Sequence, residues 1–199
     1  MIDITNISSE TPFKVFKNFY NQALKNKQLT VEAMTISSID LSKDEVDSRY
    51  VNLKYINNNN LIFFTNYNSP KAIQLNETEK VSLLLYWNSI NVQIRIKGIA
   101  KKTSSEFSDL HFNSRSDEKN ALAISSKQSQ VINSYQEVTE AYEHALTLMH
   151  DKPERPPYWG GYEISPYYFE FWEGHKSRLN KRISYELKNE IWKEFYLQP

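Results

Sequence analysis

Short strand-like segments joined by tight polar turns are the feature that most constrains the fold of this chain. Lys80–Trp87 and residues 91–101 are long strand candidates, and the polar turn at 88–91 predicts that they form a hairpin. Four consecutive asparagines at 57–60 predict a second hairpin turn, because asparagine tolerates left-handed backbone. Such hairpins are typical of an antiparallel barrel or sheet. The other predicted strands are residues 33–39, 48–56, 61–66, 162–164, 168–172, 178–187 and 191–196.

Helices are predicted between and outside these strands. Residues 11–27 have apolar side chains at helical spacing, with Thr11 as the cap and Pro12 in the first turn. Ser69 and Pro70 are typical of a helix start. Lys71 beside that start favours a phosphate site, and the alternative is a connector helix with a solvated lysine. The remaining predicted helices are residues 104–112, residues 117–124, and one that begins at the capping box Ser134 to Glu137 and reaches about His150.

Composition excludes several classes of protein. The 199 residues contain no linker long enough to separate two domains, so residues 1–199 are predicted to be a single domain. The net charge of zero gives no indication of a nucleic-acid or acidic-membrane partner, and the absence of cysteine excludes disulfides and thiolate metal sites. No apolar run approaches the ~20 residues of a membrane span, and the first residues do not form a secretory signal. We therefore expect a soluble, cytoplasmic protein.

Residues 155–182 concentrate aromatic and arginine side chains. Gly160 and Gly161 follow a tryptophan and would allow a sharp turn or a close approach to a flat group. After a predicted turn at 173–175, Arg178, Asn180 and Arg182 would share one face of a strand. Two guanidinium groups and an amide on one face indicate an anionic, planar ligand. The alternative is a hairpin with solvated arginines and a core tryptophan.

The same stretch carries a resemblance to a known family. Arg155-Pro-Pro-Tyr-Trp-Gly-Gly-Tyr162, then Glu170-Phe-Trp-Glu-Gly174 and Arg178-Leu-Asn-Lys-Arg182, resemble the C-terminal signature of the pyridoxamine 5'-phosphate oxidase family. The similarity extends from about residue 11 to Pro199. It implies a mainly β (α+β) fold, an antiparallel split β-barrel with peripheral helices, that binds FMN at the interface of a homodimer. The implied reaction is oxidation of pyridoxamine or pyridoxine 5'-phosphate to pyridoxal 5'-phosphate, with oxygen reoxidising the flavin.

The resemblance also implies which residues bind the cofactor. Three of the family's flavin motifs match residues 49–54, residues 63–71 and the loop 126–129. Gln93, which by its pattern alone is either solvent-facing or a ligand contact, matches a glutamine that reaches the flavin ring. The implied FMN-binding residues are Arg49, Tyr50, Val51, Asn52, Leu53, Lys54, Phe64, Thr65, Pro70, Lys71, Gln93, Gln128, Ser129, Trp172 and Arg182.

The substrate side departs from the family pattern. The implied substrate-binding residues are Lys54, His111, Arg115, Lys119, Arg178, Leu179 and Asn180, with Arg178 and Asn180 as the catalytic pair. His111 stands where the family has tyrosine, Lys119 where it has serine, and Asn180 where it has histidine. On the cofactor side Pro70 replaces an arginine, which removes a charge-assisted bond worth roughly 1.5–3 kcal/mol.

Three hypotheses about function follow from these departures. The first is the family's oxidation of a phosphorylated B6 vitamer, favoured because Lys54, Arg115 and Arg178 are retained together. The second is a related FMN-dependent oxidoreductase that acts on another aromatic substrate. The third is a non-catalytic protein that binds flavin or pyridoxal phosphate.

Overall fold

Ten strands and five α-helices form the chain. The computed structural model describes residues 1–199, except the side chain of Thr5. The strands are β1 (Asp3–Ile7), β2 (Ala33–Asp40), β3 (Glu45–Asn52), β4 (Tyr55–Asn58), β5 (Asn60–Asn66), β6 (Lys80–Trp87), β7 (Val92–Lys102), β8 (Trp159–Glu173), β9 (Lys181–Lys188) and β10 (Ile191–Tyr196). The helices are α1 (Thr11–Lys25), α2 (Pro70–Thr78), α3 (Ser105–Asn113), α4 (Asp117–Ser125) and α5 (Tyr135–Thr147), followed by a 3-10 turn at Leu148–Asp151.

All ten strands belong to one curled, mostly antiparallel sheet. Its main order is β1-β4-β5-β8-β7-β6-β2-β3, and β9 pairs with β8 and β10 with β9. Only the pairing of β1 with β4 is parallel. The mainly β architecture predicted from the sequence, with helices outside the strands, is therefore confirmed.

The core lies between α1 and one face of this sheet. Burial alternates strictly along β6, so one face of this strand is apolar and packed while the other is exposed. Aromatic residues of α1 meet aromatic residues of the sheet: Phe13 contacts Phe169 with ring centroids 5.2 Å apart, and Phe16 contacts Trp87 at 5.5 Å. The helix is thus fixed by its apolar stripe. No helix among the described residues is both long and apolar enough to cross a membrane.

Strand β8 is the longest strand and serves three neighbours. Its first half pairs with β5 through residues 159–164, and its second half pairs with β9 through residues 168–173. Strand β7 runs along its other edge, and the register shifts between Lys97 and Gly98, where Tyr167 is the extra residue of a β-bulge. Strands β5 and β9 both pair with the edge of β8 that is opposite β7, and the bulge lies between the two stretches that they pair with.

Several predicted boundaries were wrong. The N-terminal helix ends at Lys25 rather than at 27, and its cap is Glu10, with Thr11 already helical. The strand predicted at 48–56 is two strands, β3 and β4, separated at Leu53 and Lys54. Strand β3 pairs with β2, and β4 alone forms the hairpin with β5.

The C-terminal region also differs from the prediction. The strands predicted at 162–164 and 168–172 are one strand, because the bulge accommodates Pro166 without ending it. Gly160 and Gly161 lie within this strand and make no turn. They allow close approach instead: a Cβ on Gly160 would lie 2.2 Å from the hydroxyl of Tyr67. Strand β9 begins at Lys181, so Arg178 and Asn180 lie in the preceding loop.

Candidate functional site

A cavity of about 590 Å³ opens between the sheet and the helices α3 and α4. Its walls come from β3, β5, the start of α2, both short helices and the first residue of β8. Four cations line it, and no carboxylate does so among the residues that the structure describes. This charge balance favours an anionic ligand. The lining residues are Tyr50, Val51, Asn52, Lys54, Phe64, Thr65, Asn66, Lys71, His111, Ser114, Arg115, Ser116, Lys119, Leu122, Ala123, Ser126, Gln128 and Trp159.

Lys71 is a buried cation at the inner end of this cavity. It follows Pro70, the first residue of α2, and only 6% of it is exposed. Its Nζ donates to Thr65 Oγ1 at 2.9 Å and to Ser69 Oγ at 3.2 Å, and it has no carboxylate partner among the described residues. Burial, together with the charge of Arg49, lowers the pKa of Lys71 to about 8. An anion is the partner that this ammonium group lacks.

Arg115 holds the opposite side of the cavity. Its guanidinium lies 4.3 Å from the ring centroid of Trp159, and Nη2 donates to the carbonyl of Lys119 at 2.7 Å. Its Nη1 is buried and has no hydrogen-bond partner. Burial lowers the pKa of Arg115 to about 10, so the group remains charged at neutral pH.

His111 lies between the aromatic wall and these cations. Its ring stacks on Phe64 with centroids 3.7 Å apart, and its Nδ1 lies 2.8 Å from the hydroxyl of Tyr55. Burial lowers the pKa of His111 to about 4, and the charges of Arg115, Lys54 and Lys119 act in the same direction. The imidazole is therefore neutral at pH 7.

Seven of the expected cofactor residues do not line the cavity, and four of these seven are chain neighbours of residues that do. Arg49 forms an ion pair with Asp47 at 3.2 Å and donates to Ser38 Oγ at 2.7 Å. Leu53 is fully buried in the core, and its N–H donates to the carbonyl of Glu32. Pro70 and Ser129 are exposed neighbours of the lining residues Lys71 and Gln128.

A second group of expected residues lies elsewhere on the sheet. Gln93, Trp172 and Arg182 are direct cross-strand neighbours on β7, β8 and β9, and none of them lines the cavity. Arg182 donates through Nε and Nη2 to one oxygen of Glu170, at 2.9 and 2.7 Å. Arg95 donates to the other oxygen at 2.8 Å. The structure thus brings the expected cofactor residues together in two separate groups.

Glu170 holds this second group in place. Only 2% of it is exposed, and burial alone would raise its pKa. Hydrogen bonds from Arg182 and Tyr168, with the charges of Arg95 and Arg182, outweigh burial and lower the pKa. A charged Glu170 therefore fixes the direction of the Arg182 guanidinium.

Arg178, Leu179 and Asn180 lie in the loop before β9, and none of them lines the cavity. Arg178 has a φ of 60° and its side chain is exposed, and Leu179 is 71% exposed. Asn180 Oδ1 accepts from the backbone N–H of His175 at 3.0 Å. The expectation that Arg178, Asn180 and Arg182 share a strand face was wrong, because the left-handed Arg178 turns the chain before the strand begins.

Sequence reasoning missed several residues of these two groups. Tyr55 was not singled out, and Glu170 was noted only as part of a signature, because it alternates with core phenylalanines like any outward-facing strand residue. Trp159 was noted only as part of a signature, although it forms a wall of the cavity. Contact between residues far apart in sequence is visible only in the folded chain.

The single curled sheet with its cationic, aromatic-walled cavity fits the class of proteins that bind a phosphorylated, planar cofactor. The buried, unpaired ammonium of Lys71 fits the phosphate of FMN. Comparison with known proteins goes further. Residues 21–149 match the family model described as pyridoxamine 5'-phosphate oxidase. Residues 159–199 match that of the pyridoxine 5'-phosphate oxidase C-terminal dimerisation region. The chain belongs to the pyridoxamine 5'-phosphate oxidase family, and its cofactor is FMN.

Individual relatives cover nearly the whole chain. The pyridoxine/pyridoxamine 5'-phosphate oxidase of Paraburkholderia phytofirmans is 37% identical over 100% of this chain and 93% of its own length. That of Colwellia psychrerythraea is 36% identical over 96% of this chain and 88% of its own length. Among solved structures, PhzG from Burkholderia lata, in complex with tetrahydrophenazine-1-carboxylic acid, has a TM-score of 0.89 at 29% identity, covering 94% of this chain and 92% of PhzG. The relatives named as oxidases support an oxidoreductase.

Proposed function

We propose that this protein oxidises pyridoxamine or pyridoxine 5'-phosphate to pyridoxal 5'-phosphate with bound FMN, oxygen being the final acceptor. The observation that carries the proposal is the cavity with four cations and no carboxylate in its described lining. Two phosphate dianions, one from FMN and one from the substrate, would balance these charges. The names of the relatives support the same reaction. We propose that the reaction takes place in the cytoplasm.

The inner end of the cavity is the proposed FMN phosphate site. Lys71 supplies the charge, Thr65 and Gln128 lie beside it, and the first N–H groups of α2 lie next to it in the chain. Arg49 adds positive potential from behind the cavity wall, since its charge acts on Lys71. Lys71 is buried without an anionic partner, so a bound phosphate would stabilise its protonated form.

The outer end is the proposed substrate site. Lys54, Arg115 and Lys119 would hold the substrate phosphate, and His111 lies among them. The bound cofactor supplies the two-electron acceptor, while the residues of this chain bind and orient the substrate and exclude water. The stacked Phe64 and His111 form a flat aromatic wall against which an aromatic ring can pack.

The second group of residues supports a site shared between two subunits. Gln93, Trp172 and Arg182 do not line the cavity of their own chain, and residues 159–199 match a model described as a dimerisation region. We propose that these three residues, with Arg178 and Asn180 of the loop, complete the cavity of a partner subunit in a homodimer. Exposed apolar residues on the neighbouring strand β6, Leu84 and Tyr86, are consistent with a covered face.

Anaerobic titration tests this proposal. The FMN-loaded protein is mixed with pyridoxamine 5'-phosphate while the visible absorbance of the flavin is followed. We expect bleaching that reverses on admission of air, with formation of pyridoxal 5'-phosphate. Flavin that remains oxidised at saturating substrate would refute the proposed reaction.

A second candidate function is oxidation of another aromatic acid. The observation that favours it is the similarity to PhzG, whose structure contains a tetrahydrophenazine carboxylic acid, together with the departures His111, Lys119 and Asn180 on the substrate side. The same titration with a partly reduced phenazine carboxylic acid separates the two. Bleaching by the carboxylic acid and not by the phosphorylated amine would select the second candidate.

A further inference from the structure

The hydrogen bond between Tyr55 and His111 joins two elements that are 56 residues apart. Tyr55 begins β4, next to the cavity residue Lys54, and His111 lies in the last turn of α3. Phe64 covers one face of the imidazole, and Tyr55 occupies Nδ1. Nε2 has no partner among the described residues, although the side chain lines the cavity. The ring is therefore fixed with one nitrogen available to a ligand.

We propose that Tyr55 is a positioning residue whose hydroxyl donates to Nδ1 of His111, so that the neutral imidazole donates through Nε2–H to the phosphate of the ligand. This inference rests on the proposed function, because it concerns the phosphate end of the same substrate site. It gives a role to Tyr55 that no motif of the sequence assigns.

The charges around the ring support a neutral donor. Lys54, Arg115 and Lys119 face His111 from the strand side, from the end of α3 and from α4, and Asp3 acts on Tyr55 from β1. Burial and the three cations hold the pKa of His111 far below neutrality. A neutral imidazole carries a single proton, and the tautomer decides whether Nε2 donates or accepts.

A phenol hydroxyl can donate or accept, so an anion at Nε2 selects the Nε2–H tautomer and Tyr55 then donates to Nδ1. When its hydroxyl donates to Nδ1, the proton of the ring resides on Nε2 and points to the anion. Without that hydroxyl, the Nε2–H form leaves the lone pair of Nδ1 buried and unpaired, which is unfavourable. The Nδ1–H form would leave its N–H unpaired as well and would present a lone pair to the phosphate, so neither form would bind the anion as well as the ring bonded to Tyr55.

The tautomer can be observed directly in the FMN-saturated protein. Histidine labelled with ¹⁵N gives separate signals for protonated and unprotonated ring nitrogens, and the His111→Tyr variant identifies the signals of His111. Inorganic phosphate is added as the probe. We expect Nε2 protonated and Nδ1 unprotonated in the phosphate complex. An imidazolium ion, or a proton on Nδ1 alone, would overturn the proposal.

Substitutions test the dependence on Tyr55. We expect Tyr55→Phe to weaken phosphate binding by about tenfold, the equivalent of one charge-assisted hydrogen bond. Adding the same substitution to His111→Tyr should cost less than about twofold, because a tyrosine at 111 donates without a tautomer to select. Equal losses in both backgrounds would indicate a merely structural role. Tyr20→Phe, which removes a buried hydroxyl bonded to Ile2, is the matched control for lost packing.

The outcome is separable from that of the proposed function. A failure of pyridoxamine 5'-phosphate to reduce the flavin would leave the phosphate titration and the tautomer measurement intact. Conversely, turnover of pyridoxamine 5'-phosphate with an Nδ1–H tautomer in the phosphate complex would retain the oxidase and remove the role of Tyr55.

Discussion

Replacing Lys71 by methionine should stabilise the FMN-free protein while removing most of its affinity for FMN. The side chain is 6% exposed, and its pKa falls from 10.5 to about 8 on folding, which corresponds to about 3 kcal/mol of unfavourable free energy. Methionine has a similar length and carries no charge. Thr65 and Ser69 would lose a donor, which offsets about 1–2 kcal/mol of the gain. The expected net stabilisation is about 1–2 kcal/mol.

The stability difference between Lys71→Met and the natural chain should depend on pH. The folded pKa of Lys71 lies below the unfolded value, so the unfolded chain binds the extra proton between about pH 8 and pH 10.5. The penalty on the folded state is therefore complete below pH 8 and is lost as the pH rises to 10.5. Between pH 7 and pH 9.5 the advantage of Lys71→Met over the natural chain should fall by about 2 kcal/mol.

Urea unfolding of the two FMN-free proteins at pH 7 and pH 9.5 measures both quantities. Lys80→Met, at an exposed position, is the matched control. It should change neither the free energy of unfolding at pH 7 nor its dependence on pH. With FMN in excess, the natural chain should be more stable than Lys71→Met, because it gains binding free energy that the variant lacks. A variant that is less stable at pH 7 without FMN, or a difference that does not change with pH, would refute the argument that Lys71 is a strained, unpaired cation.

Further predictions concern the other parts of the two groups. Glu170→Gln should destabilise the protein by about 3 kcal/mol in urea unfolding, since Arg182 and Arg95 lose a buried partner; an unchanged midpoint would contradict this. Arg115→Ala should raise the KM for pyridoxamine 5'-phosphate and leave that for pyridoxamine unchanged in steady-state assays, and equal changes would place the phosphate elsewhere. Mixing Lys71→Met subunits with Arg182→Ala subunits should restore about a quarter of the sites, because one of the two sites in each mixed dimer is intact; no recovery after subunit exchange would exclude a shared site.

Local patterns predicted the regular elements well where one face of a strand is buried. The hairpin of β6 and β7 was predicted almost to the residue, because alternation along β6 reports directly on which face meets the core. The same reasoning misread Arg178. Residues 178–187 alternate like a strand, yet the left-handed conformation of Arg178 and the bond from His175 to Asn180 form a loop that hydrophobic patterning does not encode.

The composition of the cavity could not be worked out from spacing. Lys54 belongs to the link between β3 and β4, Lys71 to a helix start and Arg115 to an interhelical loop, and only the fold brings them to one cavity. The resemblance to the family identified these residues as binding residues. It did not show that the cavity residues and the second group, with Trp172 and Arg182, lie in different parts of the folded chain. That separation depends on which strands are neighbours in the sheet, a long-range property of the chain.

The bulge at Tyr167 has a consequence for the orientation of the two tryptophans of β8. In a regular strand, Trp159 and Trp172 would face opposite sides, since one position is odd and the other is even. The core-facing positions change from Tyr162 and Ile164 before the bulge to Phe169 and Phe171 after it, so both tryptophans face away from the core. Deleting Tyr167 would therefore leave a regular strand in which Phe169 and Phe171 still face the core, whereas pairing Tyr167 without the bulge would expose both phenylalanines and direct Glu170 and Trp172 into the core. By absorbing one residue, the bulge thus sets the side of the sheet to which Trp172 is presented.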